Sequence, residues 1–279
     1  MANTIDWGKA SVNNTNGYGK GAIDNTIRWG KIYESSASGE TNIGTATTPS
    51  FSNTLSTRFD GVDDIVNVNS ITSIDATDTF SISCWLIIAS GGGGGVIGKN
   101  NTDSFNGKRF TFVVDESKIE IVTENLAFRN TSLSLGNDWI NVVVSIDRGR
   151  STQSDRCRVY VNGVQQTNQQ SSNFQQVISD TSPLTIGSLT RGTSSPIILT
   201  PFEGGIDEVA IFSTALESSD VTTIYGSGVP SDLSGFSSLT NWWRMGDGDT
   251  FPTLTDNKGS NDGTMTNMSS GNIVSNVPS

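Results

Sequence analysis

The chain has 279 residues, a length that suits one large β-sandwich with an appendage or two smaller domains. Its 17 Lys and Arg residues against 28 Asp and Glu residues give a formal net charge of −11. Binding to nucleic acid or to an anionic membrane surface needs clustered cations, so this balance argues against both partners. Histidine is absent, which excludes His–Ser and His–Cys catalytic pairs, imidazole metal sites and a histidine pH switch.

The two cysteines, Cys84 and Cys157, are too few for a disulfide-rich scaffold and match no Cys-x-x-Cys spacing. Both lie in strand-like runs with apolar neighbours two residues away, so we expect small buried thiols. The first residues lack the cationic start and apolar stretch of a secretion signal. No run approaches the roughly 18 apolar residues of a membrane span. We therefore expect synthesis in a cytoplasm without a cleaved signal, and no membrane insertion.

An eleven-residue repeat occupies the first part of the chain. The pattern Asn-Thr-x-x-aromatic-Gly-Lys occurs three times and places its rings at Trp7, Tyr18 and Trp29. Each unit has too few apolar groups to bury itself, so we predict that residues 1–34 are an ordered assembly arm that needs a partner surface. The alternative is a disordered tail with a chance resemblance between its parts. Residues 35–55 are small, polar and aperiodic, and are predicted to be a linker.

From residue 56 onwards, short strand-like runs alternate with turns rich in Gly, Asn, Asp and Ser. The predicted strands lie at residues 59–68, 80–88, 109–114, 119–123, 139–146, 157–161, 183–186 and 206–212. Many short strands of this kind indicate an all-β sandwich or barrel. The one predicted helix follows Ser218 or Ser219 and ends at Gly226, because the residues between them form an apolar stripe at helical spacing.

Alternation within the strands predicts which side chains face the core. In the run 139–146 the apolar residues of one face are predicted to point inwards: Ile140, Val142, Val144 and Ile146. Trp85 and Trp139 also lie in strand patterns and are expected in the core. Trp242 and Trp243 are adjacent and would point to opposite faces, which would leave one of them exposed.

Several of these segments resemble one known family in their order and spacing. The family-like runs are Phe-Asp-Gly-Val-Asp-Asp at 59–64, Phe-Ser-Ile-Ser-Cys-Trp at 80–85, Val-Tyr-Val-Asn-Gly at 159–163 and Ile-Asp-Glu-Val-Ala-Ile-Phe at 206–212. They are similar to laminin-G-like domains of the concanavalin A-like lectin/glucanase superfamily. The resemblance covers residues 56–228 and implies an all-β jelly-roll sandwich of two antiparallel sheets packed face to face.

Residues 229–279 depart from the usual order of that family. Their Trp-Trp-Arg-Met-Gly-Asp-Gly run at 242–248 looks like the opening strand of such domains, which normally precedes the Phe-Asp-Gly segment. We predict a permuted closure in which this C-terminal segment completes the sandwich. A separate small appendage is the alternative.

The repeat arm, the linker and the tryptophan-rich tail together are similar to virion structural proteins of marine tailed bacteriophages. This resemblance implies a virion location, other virion proteins as partners, and a homo-oligomer, with a trimer favoured. The lectin-like sandwich would be displayed outwards as capsid decoration or on a tail fibre, where its partner would be a host-surface glycan.

Asp207 is the first candidate for a metal site. Strand alternation places it on the same side as Val209 and Ile211, so its carboxylate would point inwards at the rim of the sandwich. A buried carboxylate there would need a charged or hydrogen-bonding partner, or a bound cation. In relatives of this fold the corresponding aspartate commonly binds a structural Ca²⁺, and Asp60 or Asp63 could supply further oxygens. The alternative is that Asp207 caps backbone amides at a turn.

The acidic residues do not reproduce a glycosidase site. Such a site holds two carboxyls ~5–10 Å apart around a sugar, and laminarinase-like members of the superfamily carry them as Glu-x-Asp-x-x-Glu or Glu-x-Asp-x-Glu. The spacing of Glu203, Asp207 and Glu208 differs from both patterns. The residues from 93 to 99 fit Gly-x4-Gly-Lys, but Asn100 stands where a phosphate-binding loop needs Ser or Thr. The glycines from 91 to 95 are interpreted as a mobile hairpin tip.

The sequence therefore favours a non-enzymatic virion structural protein with no catalytic residues and no cofactor besides Ca²⁺. One alternative is a cellular carbohydrate-binding adhesin, in which residues 1–34 have no role. A further alternative is a glycoside hydrolase whose product release depends on Asp207 or Glu208.

Overall fold

A computed structural model describes residues 4–6, 9–11, 51–68, 70–75, 77–100, 109–123, 126–169, 177, 182–191 and 197–279. The chain divides into two compact units, residues 1–52 and 53–279. In the first unit, strand β1 (Thr4–Asp6) pairs with antiparallel strand β2 (Lys9–Ser11), so the first repeat contains a short hairpin. The predicted assembly residues Trp7, Tyr18 and Trp29 lie outside the described residues.

The described residues of the second unit form the other strands and one α-helix. The strands are β3 (Ser56–Asp60), β4 (Ile65–Val68), β5 (Thr79–Asn100), β6 (Arg109–Asp115), β7 (Lys118–Val122), β8 (Leu126–Asn130), β9 (Ile140–Asp147), β10 (Cys157–Val161), β11 (Val164–Gln165), β12 (Leu184–Ile186), β13 (Leu189–Arg191), β14 (Ile197–Leu199), β15 (Glu203–Phe212), β16 (Leu239–Trp243), β17 (Thr253–Leu254), β18 (Gly263–Thr266) and β19 (Ile273–Val274). The helix is α1 (Ser218–Tyr225), and two short 3-10 turns cover Gln153–Asp155 and Ser270–Asn272.

Antiparallel pairing runs through 15 strands that lie in two layers, because β5 belongs to both. In the first layer the order is β11-β10-β9-β5-β15-β3-β19, and β16 pairs with the later half of β15. In the second layer the order is β17-β18-β4-β12-β5-β6-β7-β8. Strands β13 and β14 form a small separate hairpin. The two-sheet antiparallel sandwich predicted from the sequence is confirmed.

The glycine run at 91–95 is the bend that carries β5 from one layer to the other. Gly93 and Gly94 have φ angles of +121° and +134°. A Cβ on Gly94 would lie 2.2 Å from the carbonyl oxygen of Pro201, so neighbouring backbone passes too close for a side chain. The interpretation of this run as a hairpin tip is wrong. Lys99, further along β5, is buried in an ion pair with Asp75, and it therefore does not form a phosphate-binding loop.

One hydrophobic core fills the space between the layers. Phe80 from the first layer meets Phe110 from the second edge-to-face, with ring centres 5.6 Å apart. Cys84 and Cys157 are buried free thiols, as predicted, and burial raises the pKa of both. The four apolar residues of β9 that were predicted to point inwards all belong to this core: Ile140, Val142, Val144 and Ile146.

Helix α1 is confirmed at its predicted position and covers part of the outer face of the first layer. Its N-cap is Glu217 and not Ser218 or Ser219 as predicted, because the helix already begins at Ser218. The backbone N–H of Glu217 donates to the Asp220 side chain, and Gly226 ends the helix with a φ of 56°. Tyr225 stacks on Trp85 of β5 with ring centres 5.9 Å apart. The helix leaves the β3 end of this face uncovered.

The C-terminal segment 229–279 contributes strands to both layers. Strand β16 pairs with β15 and β19 pairs with β3 in the first layer, while β18 pairs with β4 in the second. Trp243 and Met245 are fully buried in the core. These strands occupy positions next to the Phe-Asp-Gly strand β3 and its successor β4.

Candidate functional site

Asp207 lies at a β-bulge in β15, where Glu208 adopts a positive φ of 47°. In the pairing of β15 with β5, Asp207 stands opposite Trp85. Cross-strand partners share a face, and Trp85 lies on the outside of the sandwich against Tyr225 of the helix. The prediction that Asp207 points inwards with Val209 is wrong, because the extra residue of the bulge shifts the alternation.

The carboxylate of Asp207 is fully buried on this outer face, and its oxygens have partners within the protein. Oδ2 accepts a hydrogen bond from the side-chain amide of Asn53 at 2.8 Å, and Oδ1 accepts one from the backbone N–H of Glu208 at 2.9 Å. Burial, followed by the neighbouring Glu208 carboxyl, raises the pKa of Asp207 well above its usual range. The bond to a backbone amide is of the kind that the turn-capping alternative predicts.

Glu208 joins the C-terminal segment to β15. Its Oε2 accepts a hydrogen bond from Nε1 of Trp242 at 2.6 Å, and its Oε1 accepts one from Nε of Arg244 at 3.0 Å. The Arg244 guanidinium also lies 5.6 Å from the centre of the Trp242 ring. Burial raises the pKa of Glu208 to about 7, against the opposing effect of Arg244. These contacts give Glu208 a structural role in closing the sandwich.

The other two predicted metal ligands, Asp60 and Asp63, meet Asp64 at the end of β3. Ligand oxygens of the three carboxylates lie within 4.8 Å of one another. Asp64 is buried, and its Oδ2 accepts hydrogen bonds from the Asp60 backbone and from Asn272. Burial and then the charge of Asp60 raise the pKa of Asp64. Oxygen donors at this spacing suit a Ca²⁺ ion.

The structure does not bring Asp207 to this cluster. Asp60 pairs with Glu203, four residues before Asp207 on β15. Four residues of extended strand span about 13 Å. The predicted combination of Asp207 with Asp60 or Asp63 around one ion is therefore not formed, and the third carboxylate of the cluster is Asp64.

A row of residues crosses the uncovered part of the outer face. Arg58 on β3 stands opposite Gly205 on β15, which in turn stands opposite Ile87 on β5. Trp139 directly precedes the next strand, β9, and continues the row. Because Leu86 lies in the core, Ile87 and its cross-strand partners face outwards.

An open groove with a volume of about 470 Å³ lies over this row, and we call it the Trp139 groove. Its floor is Gly205, where a Cβ would lie 2.8 Å from Cγ2 of Ile87 and 3.0 Å from Cη2 of Trp139. The indole ring therefore reaches from the start of β9 across β5 to β15. Its Nε1 donates a hydrogen bond to Oδ1 of Asn276 at 3.3 Å, so an edge of the ring is anchored. The volume falls in the range of small-ligand sites.

Polar side chains stand around the Trp139 groove, and all of those named here are exposed: Arg58, Ser90, Asn137 and Asn276. An aromatic face offers an apolar surface to the C–H groups of a sugar ring, while amides and hydroxyls can bind its hydroxyl groups. Among the described residues that line the groove, none is Asp or Glu. The arrangement can bind a small polar ligand and offers no carboxylate for acid–base chemistry.

Trp139 was expected in the core and is instead partly exposed. The sequence pattern could have predicted this outward position, because the alternation that places Ile140 inwards places Trp139 outwards. The expectation that Trp242 or Trp243 is exposed is also wrong, since they are 6% and 0% exposed. Trp85 is buried, as expected, although it lies beneath the helix outside the core.

Residues 60–222 match the Laminin_G_3 family of the concanavalin A-like lectin/glucanase superfamily. The chain belongs to this family. The laminin-G-like resemblance noted in the sequence is thus confirmed. The matched range of this Laminin_G_3 chain includes Trp139 and Gly205 and ends before the C-terminal segment 229–279. No curated protein matches the chain.

Solved structures share the fold of this Laminin_G_3 protein. It is similar to a candidate carbohydrate-binding protein from Bacteroides ovatus, with 15% identity, a TM-score of 0.58, and coverage of 82% of this chain and 62% of that one. The chain thus spans less than two thirds of that protein. A heptameric SAP-like pentraxin from Limulus polyphemus is 12% identical with a TM-score of 0.48, and the match covers 76% of this chain and 95% of the pentraxin chain. The CBM40 of Ruminococcus gnavus IT-sialidase is 11% identical with a TM-score of 0.48, and the match covers 61% of this chain and 97% of the CBM40 chain.

Within the described ranges, no helix has the length and apolar character needed to cross a lipid bilayer.

Proposed function

We propose that this protein is a non-catalytic carbohydrate-binding module and that its binding site is the Trp139 groove. The observation that carries the proposal is the partly exposed Trp139 ring, which reaches over Gly205. Sugar rings present apolar C–H faces and polar edges, and the groove provides a ring surface bordered by Asn137 and Asn276. Membership of a lectin-type superfamily supports the same proposal.

The absence of carboxylates from the described lining of the groove supports a binding role over a hydrolytic one. Asp207 and Glu208, on which the hydrolase alternative depends, are buried and hydrogen-bonded to Asn53, Trp242 and Arg244. A hydrolytic pair would need to face a sugar on both sides of its scissile bond.

A glycan array probed with the full-length protein, followed by calorimetry on the glycans it selects, tests the proposal. Trp139→Ala should weaken binding by tenfold or more, because it removes the ring surface. Phe251→Ala is the matched control, since it removes a ring that is 36% exposed outside the groove lining. Equal binding by the wild type and Trp139→Ala would contradict the proposal.

We propose that Ca²⁺ binds at Asp60, Asp63 and Asp64. Three carboxylates in close approach, one of them buried, repel one another unless a cation neutralises them. A ligand that binds only the folded state raises its stability, so CaCl₂ should raise the melting temperature above that in EGTA. Asp63→Asn should reduce this difference, whereas Asp207→Asn should preserve it. An identical melting temperature in CaCl₂ and EGTA would count against the site.

We also propose that the module belongs to a tailed-phage particle, where residues 1–34 link copies of the chain, with a trimer favoured. The support is the sequence similarity of the repeat arm, linker and tail to virion structural proteins. Deleting residues 1–34 should lower the mass measured by light scattering and reduce incorporation into particles. Unchanged mass and unchanged incorporation would favour the cellular adhesin alternative.

A further inference from the structure

We propose that the Trp139 groove selects acidic glycans, and that Arg58 binds the carboxylate of the sugar. This inference rests on the carbohydrate-binding function proposed above and specifies the class of sugar. Arg58 is exposed and lines the groove on the side opposite Trp139. A planar guanidinium matches a carboxylate in a two-bond geometry that neutral sugars do not offer.

Arg58 has no carboxylate partner among the described residues. Acidic residues outnumber basic ones in this chain by 28 to 17, so most surface arginines have acids within reach. Several arginines do form ion pairs with carboxylates: Arg129, Arg148, Arg150, Arg158 and Arg244. The guanidinium of Arg58 is in no such pair within the described ranges, so it is available to an external carboxylate.

Arg58 and Trp139 lie at opposite ends of the row across the sheet. Arg58 and Trp139 are separated by the two strands that carry Gly205 and Ile87. Strands lie about 4.8 Å apart, so the backbones at the two ends of the row are about 14 Å apart. Gly205 contributes no side chain between them. The ring and the guanidinium can therefore contact different parts of one ligand.

Two acidic residues lie near Arg58 on the same face of the sheet. Asp60 lies two residues further along β3 on the same face, and Glu203 stands opposite Asp60. Both acids therefore lie in the next row along the two strands, beside the row that joins Arg58 to Trp139. The charge of Glu203 disfavours an anion over that next row, so a sugar carboxylate is directed to the row that joins Arg58 to Trp139. Asp207, on the same face as Gly205, is buried and shielded by Asn53.

Two pairs of ligands test the proposal because each pair differs mainly in its carboxylate. The first pair is tetragalacturonate and its methyl ester, and the second is sialyllactose and the methyl ester of its carboxylate. Calorimetry on the full-length wild type should show at least tenfold tighter binding of the acidic member of one pair. The pair that shows the preference identifies the source of the carboxylate as a uronic acid or a sialic acid.

Variants separate this inference from the proposed function. Arg58→Gln should abolish the acidic preference, and Arg58→Lys should retain only part of it. Arg148→Gln removes the same charge elsewhere on the surface, where Arg148 pairs with Asp78, and should leave the preference unchanged. Melting temperatures of all variants within a few degrees of the wild type confirm that each is folded.

Equal binding of acidic and neutral ligands by the wild type would overturn the inference, and so would an acidic preference that survives in Arg58→Gln. In both cases glycan binding itself, with its dependence on Trp139, would still stand. Loss of the proposed function has a different signature: none of the four ligands binds, or Trp139→Ala binds them as the wild type does.

Discussion

Gly205 shows how one missing side chain shapes the Trp139 groove. The Trp139 ring can lie over the sheet only because β15 has a glycine at this position. The backbone of Gly205 does not have a positive φ, so alanine is compatible with its conformation. The constraint comes from the space that the ring and Ile87 already occupy.

Gly205→Ala should therefore weaken glycan binding several-fold while the protein remains folded. The new Cβ would lie 3.0 Å from Cη2 of Trp139, so the ring has to lift from the sheet. Calorimetry against the array-selected glycan measures the effect, and the melting temperature reports folding. Unchanged affinity in a folded Gly205→Ala variant would show that the ring position does not matter for binding.

Glu208 makes stability depend on pH. Its pKa is raised from 4.5 to about 7 by burial, so the folded state keeps a proton that the unfolded state releases above pH 4.5. The proton held by Glu208 contributes roughly 3 kcal/mol to the free energy of unfolding. This contribution is fully present below pH 4.5 and is lost as the pH rises to 7. Asp207, whose pKa is also raised, acts in the same direction.

Urea unfolding of the wild type and of Glu208→Gln between pH 4.5 and 8 measures this effect. The wild type should lose free energy of unfolding as the pH rises towards 7, and Glu208→Gln should show a smaller loss because the residual slope comes from Asp207. Parallel curves for the two proteins would mean that Glu208 does not titrate in this range.

At the scale of elements, β5 and β15 illustrate what sequence patterns can and cannot predict. Simple alternation predicted the inward face of β9 correctly, because the pairing of β9 with β5 and with β10 runs without a bulge. It failed for Asp207, because a bulge at Glu208 adds a residue that no hydrophobic pattern reveals. The glycine run of β5 was identified as special, but its use as a bend between layers depends on strands distant in sequence.

The later half of β5 also carries a buried ion pair. Nζ of Lys99 lies 2.5 Å from Oδ2 of Asp75 and donates a hydrogen bond to the carbonyl of Ile71 at 2.7 Å. Lys99→Met should destabilise the protein by about 3–5 kcal/mol, because it leaves a buried carboxylate without its cation. The double variant Lys99→Met/Asp75→Leu should recover most of that loss. Denaturant unfolding measures both, and a single variant within 1 kcal/mol of the wild type would contradict the buried pair.

For the whole molecule, the order of short motifs was sufficient to predict the sandwich. Residues 59–64 end β3 and form the turn before β4, and residues 206–212 belong to β15, which pairs with β3. The binding face could not be predicted in the same way. It is formed by Arg58, Ile87, Trp139 and Gly205, which are far apart in the sequence and meet only through strand register. The three-carboxylate cluster was partly predictable, since its members are neighbours in sequence.

The C-terminal segment should be essential for folding, whereas the first unit should not. A chain ending at residue 228 loses strands β16 to β19 and exposes the core surface that Trp243 and Met245 cover. It should show no cooperative thermal transition. A chain that begins at residue 53 keeps the whole second unit and should melt cooperatively. Cooperative melting of the chain that ends at 228 would contradict the role of the segment.

The central claim is that a glycan contacts the Trp139 ring, and the indole N–H signals of the tryptophans in an ¹⁵N–¹H NMR spectrum test it most directly. The Trp139 signal is identified by its absence from Trp139→Phe, and the signals of the buried Trp85, Trp242 and Trp243 serve as internal references. Titration with an array-selected glycan should shift the Trp139 signal first and leave those of the buried rings nearly unchanged. A glycan that binds while the Trp139 signal stays in place would contradict the account.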